Sequence, residues 1–230
     1  MHLEKRFWTF IEGLWALDHL ELRNAVENLT HPSIIPTFPD EILYTLLRGR
    51  DGIGGLNMQE NADDDILALA YYNCVKPPLE DQRTRNEFAK YMAARNVTET
   101  YYWIRSRPEY EHKPLLEILI EQTLERSAWS SGVEEEAYTR EDRALEFVSL
   151  PFSEEEEQFV EKFLTEGKGR NYQGANDTLL MRRIAMGRLA DVASEAGTRG
   201  RKHDGLNWEM LKDGVKRGLG PRKGEEGFTV

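Results

Sequence analysis

FWTFIEGLWALDHL, residues 7–20, decides the fold class, because its apolar side chains recur three and four positions apart. Phe7, Ile11 and Trp15 have the spacing of successive turns on one face of a helix. The stretch therefore predicts an amphipathic helix over about residues 3–17. Outward from it, the sequence contains no Val/Ile/Thr-rich run with the alternation of a half-buried strand. The chain is predicted to be all-α.

The same periodicity recurs along the chain, and prolines and glycines mark where helices end. Ser153 and Glu156 have the spacing of a capping box, and Asn176 or Asp177 is the expected cap of the last helix. Short connections without a strict repeat predict an irregular α-helical solenoid of about ten stacked antiparallel helices. The predicted helices cover about residues 3–17, 22–29, 40–47, 63–75, 79–94, 98–105, 114–129, 139–147, 153–165 and 176–192, with a glycine-rich loop over 48–59.

The composition predicts a folded domain that is followed by a tail of different charge. Of the 230 residues, 40% are hydrophobic and 10% aromatic, enough for a core that buries about 70% of the chain's surface. Residues 134–166 hold twelve acidic and three basic side chains, whereas residues 199–230 hold eight basic and five acidic. We therefore predict an α-helical domain over 1–196 and a glycine-rich, basic tail over 197–230. The tail is expected to be disordered when free and to order on a partner.

The charge balance and the cysteine count exclude several classes of protein. The 30 basic and 41 acidic residues give a net charge of −11, which argues against general binding to a phosphate backbone. No apolar run reaches about 18 residues, so no membrane span is expected. The start MHLEKRFW lacks an apolar signal core, and the single Cys74 excludes an intramolecular disulfide and a cysteine-built zinc site. We expect a soluble intracellular protein.

No residue pattern predicts a catalytic residue, a cofactor or a metal. Cys74 is expected to be a small buried side chain, and the five histidines are scattered without a paired ligand spacing. The three aspartates at 63–65 are typical of a helix N-terminus. The loop at 49–55 lacks the Gly-Lys-Ser/Thr ending of a phosphate loop. An enzyme of unrecognised type stays an alternative, and it would need a polar cluster in a pocket.

Two segments are candidates for binding another protein. The stretch Tyr101, Tyr102 and Trp103 cannot face the core with all three side chains, so at least one is expected at a surface. The acidic run at 154–157 is an alternative docking face for a basic partner. In the tail, apolar residues set among charges predict a segment that orders on a partner: Leu206, Trp208, Met210, Leu211 and Val215.

The tail also carries a candidate DNA-binding motif. Arg199, Arg201 and Lys202 have the spacing of an Arg-Gly-Arg core that fits a narrow minor groove. Proline usually follows such a core, and here Lys202 takes its place. Arg222 and Lys223 form a second small basic island. A DNA-binding role would show as affinity that falls steeply with salt.

Several of these stretches together resemble a known helical family. The combination of a helix ending in Leu-Asp-His, a His-Pro-Ser turn and a Lys-Pro-Pro-Leu break is similar to the ELYS-like helical domain. The resemblance extends over about residues 7–190. The motifs that carry it are FW and LWALDH within 7–19, AVENL at 25–29, HPS at 31–33, IP at 35–36, FP at 38–39, ILYTLL at 42–47, ALAYY at 68–72, KPPL at 76–79 and NDTLLMRR at 176–183.

The resemblance implies a non-catalytic scaffold that acts in nuclear pore complex assembly and needs no cofactor. ELYS-family members join the Y-shaped outer-ring subcomplex, so the implied partners are its short-arm scaffold nucleoporins and the implied location is the nuclear pore at the nuclear envelope. Large animal members add a β-propeller and a long chromatin-binding tail, whereas this chain looks like the short fungal form. A chromatin- or DNA-binding adaptor acting through the basic tail is the alternative function.

Overall fold

A computed structural model describes residues 4–52, 66–125, 140–172 and 174–188, together with 213, 214 and 217. Across residues 4–188, outside the gaps, every regular element is helical, which confirms the all-α prediction. A 3₁₀ turn at Lys168–Asn171 joins the last two helices. The α-helices are α1 Lys5–Asp18, α2 Leu22–Leu29, α3 Pro39–Gly52, α4 Leu67–Val75, α5 Gln82–Arg95, α6 Val97–Ser106, α7 Glu109–Leu124, α8 Arg140–Ser149, α9 Glu154–Thr165 and α10 Ala175–Ala185.

The chain divides into two compact units, Met1–Met92 and Ala93–Val230. In the first unit α1 packs on α2, α3 packs on α4, and α2 also contacts α4. In the second unit α6 packs on α7 and α8, and α10 packs on α8 and α9. Helices that are close in sequence therefore stack within each unit, as the short connections predict. The predicted boundary at 196/197 lies outside the described residues and stays a prediction.

Two helices run through a residue that was predicted to bound a helix. Helix α3 continues to Gly52 through the start of the predicted glycine-rich loop. Glycine in a helix costs only about 1 kcal/mol relative to alanine. Helix α7 begins at Glu109, so the predicted start at Pro114 is wrong and this proline lies inside the helix. Residues on both sides of Pro114 are buried, including Glu111 and Leu115, and their packing maintains the helix.

Two helix starts differ from prediction, and in each the backbone conformation just before the helix sets the start. Helix α5 begins at Gln82 rather than near 79, since Leu79 has the left-handed φ of 56°. The Asp81 carboxylate accepts the Thr84 amide at 3.2 Å and closes the first turn. Helix α10 begins after Gly174, whose φ is 88°, and the expected caps Asn176 and Asp177 lie in its first turn. The capping box of Ser153 and Glu156 is confirmed.

A buried carboxylate fixes the Lys-Pro-Pro-Leu break in the first unit. Asp40, at the start of α3, accepts the amide of Leu79 at 3.0 Å through Oδ1 and that of Asp81 at 3.2 Å through Oδ2. The Thr84 hydroxyl donates to the Asp40 carbonyl at 3.3 Å. Asp40 thus satisfies amides that the break leaves without a helical acceptor, and it ties α3 to the segment before α5.

A buried arginine joins three elements of the second unit. The Arg182 side chain on α10 is 1% exposed and donates to the carbonyls of Phe147, Val148 and Leu150 at 3.2, 2.8 and 2.9 Å. The same guanidinium pairs with Glu157 in the first turn of α9, at 2.6–2.9 Å. Because the carbonyls at the end of a helix lack intrahelical donors, Arg182 acts as a side-chain cap for α8.

Candidate partner-binding surface

The aromatic stretch of α6 is split between core and solvent. Tyr101 and Trp103 are buried, whereas Tyr102 is 56% exposed. This agrees with the expectation that at least one of the three lies at a surface. Of these three side chains, Tyr102 is the one that a partner can contact over a large area. A protein-binding role for the stretch stays a prediction.

The Tyr101 hydroxyl connects α6 to the start of α9. It lies 2.9 Å from the Pro151 carbonyl and 3.0 Å from Glu156 Oε2, and it accepts from Arg105 Nη1 at 3.1 Å. Burial, followed by the hydrogen bond to Glu156 and the charge of that carboxylate, raises the pKa of Tyr101 to about 12. The Tyr101 hydroxyl is therefore protonated at neutral pH, and its hydrogen bonds hold α6 against the start of α9.

Trp103 is held by the turn between α6 and α7. The Arg107 guanidinium lies 6.0 Å from the centroid of the Trp103 ring. Arg107 Nε also donates to Glu111 Oε2 at 2.9 Å, and this ion pair is largely buried. The indole is therefore part of the packing of the second unit and is not an exposed anchor.

A polar cleft of about 880 Å³ opens beside this turn, within the second unit. Basic Arg105 and Lys113 line it together with acidic Glu155 and Glu156, and so does Tyr110, which is 77% exposed. The mixture of charges gives the cleft no preference for an anion or a cation. Leu116 and Phe159 also line it, so the cleft offers a peptide segment both hydrogen-bonding groups and apolar contact.

The acidic run of α9 is only half available to a partner. Glu154 and Glu155 are exposed, as expected of a solvated face. Glu156 instead closes the capping box and contacts Tyr101, and Glu157 pairs with Arg182. The capping-box spacing predicted the role of Glu156, whereas the pairing of Glu157 with Arg182 was not predictable, because its partner lies 25 residues further along the chain.

A second candidate surface lies on α1, in the first unit. Phe7, Trp8, Ile11 and Trp15 are 46%, 51%, 37% and 55% exposed and follow one another at helical spacing. The opposite face of α1 packs on α2. In the sequence these residues indicate a helix, and their spacing alone does not show which face meets solvent. Apolar side chains on both faces were the available sign that this helix has a second contact to make.

Three other expectations concern Cys74, metal-binding side chains and membrane-spanning helices. Cys74 is exposed, so its predicted burial is wrong: α4 packs through Ala68 and Tyr71, and its last turn faces solvent. In the described part of the chain no three His, Cys, Asp or Glu side chains are grouped to hold a metal ion. None of the described helices is long and apolar enough to cross a membrane.

Several predicted sites lie outside the described residues. They are the aspartates at 63–65, the predicted DNA-binding residues Arg199, Arg201 and Lys202, the second basic island Arg222 and Lys223, and the apolar tail residues Leu206, Trp208, Met210, Leu211 and Val215. Their roles stay predictions.

The sequence of the chain is similar to that of known proteins. The family profile described as "ELYS: Nuclear pore complex assembly" matches residues 1–167. "Uncharacterized protein ely5" of Schizosaccharomyces pombe is 22% identical over 121 residues, which are 52% of this chain and 36% of that protein. The match therefore spans about a third of the relative's length. No solved structure matches the chain.

Proposed function

This chain belongs to the ELYS family of nuclear pore complex assembly, and from that premise we propose that it is a non-catalytic scaffold subunit of the Y-shaped outer ring. The family match is the observation that carries the proposal, because residues 1–167 include helices α1 to α9. In this role the protein docks on the short-arm scaffold nucleoporins and resides at the nuclear pore.

The character of the exposed surfaces supports docking between proteins. The described surface offers exposed aromatics on α1 and α6, and a mixed-charge cleft in the second unit. Tyrosine and tryptophan are enriched where proteins meet, since each combines a large apolar area with a polar group. These features suit a scaffold that is held by several partner contacts.

Affinity purification of the tagged full chain at moderate salt, followed by mass spectrometry, tests the proposal. Outer-ring nucleoporins are the expected co-purifying proteins, and a fluorescent fusion should mark the nuclear rim. Absence of every nucleoporin from the eluate, with the tagged chain itself recovered, would refute the scaffold function. Membership of the family would then indicate the fold of the chain and not its function.

The basic tail favours a second candidate, a chromatin adaptor. Arg199, Arg201 and Lys202 supply the cations that an A·T-rich minor groove attracts. Binding of the full chain to an A·T-rich duplex should weaken steeply between 50 and 200 mM salt if phosphates are contacted. Absence of binding at the lower salt concentration would dismiss this candidate. Recovery of histones alone, lost on nuclease treatment, would favour it over the scaffold function.

A further inference from the structure

We draw no further inference here: the strongest candidate, the exposed apolar face that Phe7, Trp8, Ile11 and Trp15 form on α1, carries no proposal, because nothing in the described part of the chain shows what covers it.

Discussion

Replacing Arg182 by alanine should destabilise the second unit more than any exposed substitution. The change removes the partner of Glu157 and the donors to three carbonyls at the end of α8. Removing one member of a buried ion pair costs about 3–5 kcal/mol, because the other charge is left buried without compensation. For chains of 150–250 residues, where 1 kcal/mol is worth about 2–4 °C, such a loss lowers the Tm by about 10 °C.

The geometry distinguishes this prediction from a simple loss of charge. Arg182→Lys keeps the positive charge, but one ammonium nitrogen cannot reach the Glu157 carboxylate and three separate carbonyls at once. We expect Arg182→Lys to recover less than half of the stability lost in Arg182→Ala. The guanidinium also lies 4.1 Å from the centroid of the Phe152 ring, a stacking contact that an ammonium makes less well.

Urea unfolding followed by circular dichroism at 222 nm measures the effect, with calorimetry to detect whether the two units unfold in separate transitions. If they do, only the transition of the unit containing Arg182 should move. Gln122→Ala, which removes an exposed hydrogen bond to Glu125 in the same unit, is the control and should change stability by less than about 1 kcal/mol. An Arg182→Ala variant as stable as this control would show that the buried network contributes no net stability, and the reasoning would be wrong.

Three further predictions concern other buried contacts. Asp40→Ala should cost about 2–4 kcal/mol in the urea unfolding of the first unit, because the buried amide of Leu79 and the partly buried amide of Asp81 lose a charged acceptor. Glu41→Gln, at an exposed neighbour, should stay within about 0.5 kcal/mol, and equal losses would refute the assignment. Since burial raises the pKa of Tyr101 to about 12 from an unfolded value of about 10, its stabilising contribution is complete below pH 10 and is lost as the pH rises toward 12. The stability gap between wild type and Tyr101→Phe should therefore narrow over that range, and a gap independent of pH would contradict this. A chain ended after residue 167 should melt at least several degrees lower than one ended after 196, because it lacks the helix that carries Arg182, whereas coincident melting curves would make α10 dispensable.

Periodicity and proline positions predicted the order of the helices in the described part of the chain, because both act within a few residues. Helices α2, α6 and α9 begin within one residue of the predicted start. The errors fall where a distant contact overrides a local preference. Pro114 is a local breaker, yet it lies inside α7 because the residues around it are buried. No local pattern reports that burial.

The residues that join the helices were not predictable, because their partners are far away in sequence. Asp40 accepts from an amide 39 residues along the chain, and Arg182 pairs with a glutamate 25 residues before it. In the sequence Asp40 is an ordinary acid at a helix start, and Arg182 is one of two adjacent arginines. A buried polar side chain becomes recognisable only when the fold shows which backbone groups need it.

The apolar pattern of α1 predicts the helix, but it does not show which face of the helix is buried. Phe7, Ile11 and Trp15 predicted a helix correctly, but their spacing is the same whether the face meets this chain or another one. The packing of Gly13 against Leu29 removes the ambiguity, because it assigns the opposite side of α1 to the interior. A helix needs only one such face to be held in a fold. The packing of α1 on α2 therefore does not need the exposed face that carries Phe7, Trp8, Ile11 and Trp15.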